Sequence, residues 1–171
     1  MLRLTFGLGY SSADLSSPAD LAYSGFSDSL SFDIGAALSE NWTLHVRFSQ
    51  LSMVAPAVTV NGNDLADIEG AELTSYLSGL AVTYNFMPAN LYLTLALGFS
   101  WVSEETETTE NTSDTGFGAN LDFGKEWWVS DNWGVGITGR FWLTYVDDSD
   151  VLRDTTYSMF GFAGLFSATY N

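Results

Sequence analysis

The 171-residue chain has no cysteine, one histidine and only five Lys or Arg residues. Without cysteine there is neither a disulfide framework nor a thiolate metal site. The few basic side chains are scattered rather than clustered, which argues against a nucleic-acid partner, because phosphate binding needs a basic patch. No run approaches the roughly 18 consecutive apolar residues of a membrane helix, so a helical membrane protein is excluded. The N-terminus, "MLRLTFGLGY", lacks the apolar core and cleavage site of a secretory signal. An exported chain of this sequence would have its leader removed or encoded upstream.

What is abundant is acid and grease together: 21 acidic residues, a formal net charge of −16, and 46% hydrophobic and 15% aromatic residues. That balance is not the signature of disorder. The two classes are sorted by a period of two, the repeat of a strand with unlike faces. "LTFGLGY" sets Leu4, Phe6, Leu8 and Tyr10 against Thr5, Gly7 and Gly9; "SLSFDIGAAL", "WTLHVRF", "SGLAVTYNF" and "LYLTLALGFSW" repeat the pattern. "GFGANLDFGKEW", "WGVGITGRFWLTY" and "SMFGFAGLFSATY" bring the candidate strands to eight, with no convincing helix. The whole of residues 1–171 reads as one all-β domain.

The connections alternate in length. Ser39-Glu40-Asn41, Met87-Pro88-Ala89-Asn90 and Ser130-Asp131-Asn132 are tight turns. Longer links are expected near residues 11–27, 53–72, 103–114 and 146–155. In an eight-stranded antiparallel up-and-down barrel these fall at opposite ends, the polarity of an outer-membrane barrel with short periplasmic turns and longer outside loops. A soluble barrel or sandwich alternates too, so volume decides between them. The bulky face carries more large residues than a narrow interior can pack, whereas the Gly, Ala, Ser and Thr of the other face suit it. The bulky face therefore points into lipid, making this a transmembrane β-barrel.

"GKEWWVSDNWGVG" then has a purpose. Trp127 and Trp133 flank a short turn on the outward face, and Trp42 follows the first turn in the same way. An indole there keeps its ring in lipid and its N–H in water. Tyr84, Phe86 and Tyr170 complete this aromatic girdle, while Trp101 and Tyr145 belong to the opposite rim. Ordinary core aromatics are the competing explanation, but a core would not restrict them to strand ends.

Inward-facing charges are few. Centring the first turn on Glu40 sets Asp33 opposite Arg47, and centring the third on Asp131 sets Asp122 opposite Arg140. Their surroundings match, "FDIG…SENW…RF" against "LDFG…SDNW…RF". Arg3, His45 and Glu126 share the lumen. Such pairs make a rigid plug or, alternatively, a selective pore. Nearly all of the net charge is left at the long-connection end, where Asp14, Asp20, Asp28, Asp64, Asp67, Glu69, Glu72, Glu104, Glu105, Glu107, Glu110, Asp114, Asp147, Asp148, Asp150 and Asp154 oppose only Arg153.

Catalytic chemistry finds little support. His45 is the sole candidate base and has a basic neighbour in Arg47. Asp147-Asp148-Ser149-Asp150 and Glu104-Glu105 could hold divalent cations loosely, but they lack the glycine and terminal glutamate of a calcium loop. No cofactor is expected.

The eight strands, the tight turns, "GKEWWVSDNWGVG" and the last strand "FGFAGLFSATYN" resemble the small outer-membrane β-barrel families of Gram-negative bacteria, among them the transmembrane domain of outer membrane protein A and its short relatives. The resemblance covers the whole chain and is architectural. It implies a bacterial outer-membrane location, lumen salt bridges and insertion by the barrel-assembly machinery through an aromatic-ended last strand. Here Tyr170 is penultimate and Asn171 last, a departure from that signal. The reading is a non-enzymatic barrel with a structural or surface-interaction role, its partners the lipid bilayer, lipopolysaccharide and divalent cations at the loops. The alternative is a narrow pore or conduit for small solutes or apolar molecules, and a lipid-modifying enzyme is a third class.

Overall fold

The computed structural model describes residues 1–16, 20–60, 63–64, 71–106, 109–150 and 153–171. Asp67, Glu69 and Glu107, and the side chains of Asp20, Asp64, Glu110, Asp150, Arg153 and Asp154, lie outside the described residues. The strands in chain order are β1 (Leu2–Ser16), β2 (Asp20–Ala37), β3 (Trp42–Val54), β4 (Ala57–Val60), β5 (Asn63–Asp64), β6 (Glu72–Phe86), β7 (Leu91–Thr106), β8 (Thr109–Thr112), β9 (Gly116–Trp128), β10 (Trp133–Asp150) and β11 (Arg153–Tyr170). Eight of these are long, and each long strand pairs antiparallel with the long strands before and after it. β1 closes on β11 from Leu2↔Tyr170 to Ser16↔Thr156, so the sheet is an eight-stranded up-and-down barrel without a free edge along its wall.

Alternation assigns the faces as the residue pattern requires. Leu4, Phe6 and Leu8 on β1, Leu93, Leu95 and Leu97 on β7, and Phe160, Phe162 and Phe166 on β11 are exposed. Between them Thr5, Thr94, Ala96, Ala163 and Ser167 point inward and are buried. An exposed band of Leu, Ile and Phe around the whole wall is intolerable in water and natural in acyl chains.

The first and third tight turns are built alike. Leu38 N and Ser39 N both donate to Trp42 O, at 2.8 and 3.2 Å, while Val129 N and Ser130 N donate to Trp133 O at the same two distances. Trp42 N donates to Ser39 Oγ (3.3 Å) and Trp133 N to Ser130 Oγ (3.1 Å). Likeness extends to the neighbouring strand, since Trp42 packs on Tyr84 with ring centroids 4.8 Å apart and Trp133 on Tyr170 at 5.2 Å. The duplicated "S-x-N-W" thus encodes a duplicated turn with its aromatic anchor.

At the other end the structure corrects the sequence reading. Most of the stretches expected as long links are wall: β1 runs to Ser16 and β2 begins at Asp20, still paired as Leu15↔Leu21. β2, β10 and β11 have 18 residues each, well beyond the about 9–11 that cross a bilayer. The extensions persist because their inward positions stay apolar. Ala13, Leu15, Met53, Leu73, Val146 and Tyr157 form one cluster, with Leu21 and Tyr23 packed on it. β4 pairs with β2 and β5, and β8 folds back on β7, so part of the remaining connection is sheet as well.

Candidate functional site

Among the described residues, the lumen toward the short turns gathers charges of both signs out of water. Strand register fixes who meets whom: β2 against β3 sets Asp33 opposite Arg47, and β9 against β10 sets Asp122 opposite Arg140. Arg47 Nε and Nη2 donate to the two oxygens of Asp33 at 2.7 and 2.9 Å. Arg140 Nε and Nη2 donate to those of Asp122 at the same distances. Such two-pronged pairs use the matching planes of guanidinium and carboxylate. The hairpins lie on different walls, and Arg47 joins them: its Nη1 is 2.7 Å from Asp122 Oδ2, an ion pair rather than an aligned hydrogen bond. All four side chains are at most 2% exposed.

Hydroxyls and an amide complete the polar layer. Arg140 Nη2 also donates to Ser31 Oγ (3.0 Å), with Thr5 Oγ1 at 3.4 Å, and Thr5 and Ser31 hydrogen-bond to each other. Ser49 Oγ donates to Asn120 Oδ1 at 3.1 Å. His45 stands with Nδ1 3.4 Å from Asp33 Oδ1 and Nε2 2.9 Å from Thr83 Oγ1, and Thr83 pairs with Thr94 at 2.7 Å. Carboxylate, imidazole and hydroxyl in a row have the connectivity of a nucleophilic relay. Here Asp33 and Thr83 are wholly buried and His45 is 2% exposed, so no substrate reaches the hydroxyl.

Toward the short turns Arg3 lies over the Tyr92 ring, 4.4 Å from its centroid. Its Nε donates to Thr169 Oγ1 at 3.1 Å, and Nη2 is 3.8 Å from Glu126 Oε1. Glu126, Arg3 and Trp128 line a polar mouth of about 420 Å³. Toward the loops the chemistry changes. Trp142 points inward and donates its indole N–H to Thr144 Oγ1 (2.9 Å) and Ser75 Oγ (3.2 Å). Ser75 and Ser100 also contact Thr144, at 2.8 and 3.0 Å. Beyond that polar ring the interior is the apolar cluster of Leu51, Leu77, Val102 and Met159 with the side chains named above.

All seven lumen residues singled out in the sequence therefore sit inside the barrel. The girdle residues Trp42, Trp127, Trp133, Phe86 and Tyr170 are exposed near the short turns, and Tyr84 joins them, 4.8 Å from Phe86. Trp101 stacks on Tyr76 at 5.4 Å on the outer wall. Sequence reasoning missed Trp142, although its position opposite outward Phe141 and Leu143 in the alternation carries the signal. It also missed Tyr92, which the alternation sets opposite outward Leu91 and Leu93 in the same way, and Thr83, whose residue type gives no signal.

The acidic end is less exposed than a solvated loop would be. Burial, and then the nearby Asp148 carboxylate, push Glu104 above its ordinary value of 4.5. Tyr157 is raised by burial first and by Glu104 and Asp148 next. One Glu104 oxygen is buried without a hydrogen-bond partner among the described residues. No group of three or more His, Asp or Glu side chains among the described residues is placed to hold a metal ion.

No protein-family model matches the chain, and no curated protein matches it in sequence. Solved structures do match in shape. Neisserial surface protein A is 15% identical with a TM-score of 0.58, covering 99% of this chain and 97% of that one. The outer membrane protease OmpT of Escherichia coli is 9% identical with a TM-score of 0.57, over 99% and 95%. The outer membrane protein OprG of Pseudomonas aeruginosa is 12% identical with a TM-score of 0.51, over 99% and 96%. The fold is that of the small outer-membrane β-barrels.

Proposed function

Proceeding from a small outer-membrane barrel fold, we propose that this chain is a non-enzymatic barrel of the bacterial outer membrane with a structural or surface-interaction role and a closed lumen. The observation that carries the reading is Arg47, which spans from Asp33 on one wall to Asp122 on another. A cross-strut held by two carboxylates fills the axis where a pore would need water. Above it Trp142 and the apolar cluster fill the remainder, and an eight-stranded wall leaves just enough room for side chains to do so. The outward role falls to the acidic end, whose Asp14, Glu105, Asp114 and Asp147 present negative charge to cations, lipopolysaccharide or an external partner.

Conduction is the rival. Its support is the apolar loop-side interior, a suitable lining for an apolar solute once opened. Planar-bilayer recording of the refolded protein separates the two. Silence from the unmodified chain is expected, and discrete ion-selective steps that change in Arg140→Ala would overturn the plug. A lipid-modifying activity is tested by incubation with labelled lipopolysaccharide, where turnover by the unmodified chain would overturn the non-enzymatic reading.

A further inference from the structure

The lipid-facing wall is bulky nearly everywhere, and one gap in it stands beside the chain's only lysine. On β10 and β11 the outward positions 139 and 164 are glycines, directly paired across the ladder. Neither is required by packing: a Cβ added at Gly164 would meet nothing within 4 Å, and at Gly139 nothing closer than 3.7 Å. Inward Gly7 and Gly79 differ, since a Cβ there would lie 2.1 and 2.2 Å from a backbone oxygen. The paired gap opens a depression of about 500 Å³, walled by Leu91, Phe123, Ile137 and Phe166 and ending at Lys125. That volume is within the about 300–1,000 Å³ of small-ligand sites.

Lys125 is the one described Lys or Arg side chain outside the lumen. Its stem runs along the wall and its Nζ reaches back to Ala89 O (2.6 Å) and over the Trp127 ring (5.6 Å). This is how an amphipathic side chain brings its charge to the headgroup level. No carboxylate stands within ion-pair distance of it among the described residues, on a chain otherwise strongly acidic. An adjoining depression past Leu8 shares Gly164 and Phe166 but ends on Asp28 and Gln50, a poor terminus for an acyl tail.

We propose that this groove holds one phospholipid of the leaflet on the short-turn side, its phosphate at Lys125 and an acyl chain laid over Gly139 and Gly164. The inference rests on the reading that the outer wall faces lipid. Its occupant follows from charge and shape: an unmatched cation at the interface takes a phosphate, and a trough that is apolar but for Thr138 and the terminal Lys125 takes a hydrocarbon chain.

The test is native mass spectrometry of the refolded full chain in a delipidating detergent with added dipalmitoyl phosphatidylglycerol. One retained lipid per chain is expected. Gly164→Leu fills the trough into open space and should leave the barrel heat-modifiable while weakening retention at least about tenfold, the equivalent of about two methylenes of lost contact. Lys125→Gln should weaken it about fivefold. Equal retention by all three proteins overturns the proposal, and so does a chain dimer that Gly164→Leu disperses, which would make the gap a self-association face. Folding in buffer without amphiphile would instead overturn the lipid-facing wall itself.

Discussion

The two halves of the lumen fill the same cylinder with opposite chemistry. Toward the short turns, interior positions hold Asp33, Arg47, Asp122, Arg140 and His45, each held by directed contacts. Toward the loops the interior holds Leu51 and Trp142, on the strands of Arg47 and Arg140, together with Leu77, Val102 and Met159 of β6, β7 and β11, all held by shape. On the membrane reading proposed above, the charged half lies within the spanning stretch and the apolar half extends past it. A wall surrounded by hydrocarbon isolates its lumen whatever lies inside, so polar groups there must satisfy one another. A wall standing in water needs an apolar interior to stay assembled at all. The lumen is thus a plug at one end and an ordinary protein core at the other.

The sharpest way to break that contrast is Arg47→Ala. It leaves two buried carboxylates facing one guanidinium, and a loss of about 3–5 kcal/mol in unfolding free energy is expected from urea titration of the refolded protein, followed as the heat-modifiable band. Replacing the hairpin pair together, Asp33→Leu with Arg47→Met, should cost less than Arg47→Ala alone, since Asp122 and Arg140 remain balanced. An additive or larger loss would show that the charges stabilise by more than mutual compensation. Leu51→Ala acts on the other half, where a cavity costs about 2–5 kcal/mol. Hydrogen exchange should rise first in the loop-side ends of β3 and β6 and leave the Asp33 hairpin protected.

Glu104→Gln reports the rim of the apolar half and has a smaller effect, about 1 kcal/mol in the stabilising direction at neutral pH. The sign follows from its raised carboxyl, which binds a proton more tightly folded than unfolded. The contribution of Glu104 to stability is fully present below about 4.5, its ordinary value, and is lost as pH rises through the raised one. Loop-side protection should therefore fall between acid and neutral pH in the native chain, and Glu104→Gln should flatten that profile. Smallest of all is Ser130→Ala, which removes the hydroxyl that accepts from Trp133 N at an exposed turn and should cost about 0.5–1 kcal/mol. Ser39→Ala should match it if the two turns are equivalent.

How far these features were legible depends on the range of the interaction. Asp33 with Arg47 and Asp122 with Arg140 follow from a tight turn plus a period of two, both local, and the structure pairs them in that register. The strut from Arg47 to Asp122 does not, because it depends on how the closed wall staggers its strands, which no short stretch encodes. The wall extensions escape the sequence reading because Ser12, Asp14 and Ser16 are polar on the outside, as a strand in water should be, and only inward Ala13, Leu15, Leu21 and Tyr23 betray the sheet. Gly139 and Gly164 went unremarked in the sequence reading, although each breaks the outward bulk of its strand, and their adjacency comes only from the pairing of β10 with β11.

The partners in the two-pronged pairs are separated by only 14 and 18 residues, whereas β1 and β11 must meet across nearly the full chain. Each charged hairpin thus carries its own counter-ion from the moment its turn forms. It can enter hydrocarbon as an electrically neutral unit long before the seam shuts. The strut from Arg47 to Asp122 has no such early form, and its appearance would mark the instant at which the cylinder becomes complete.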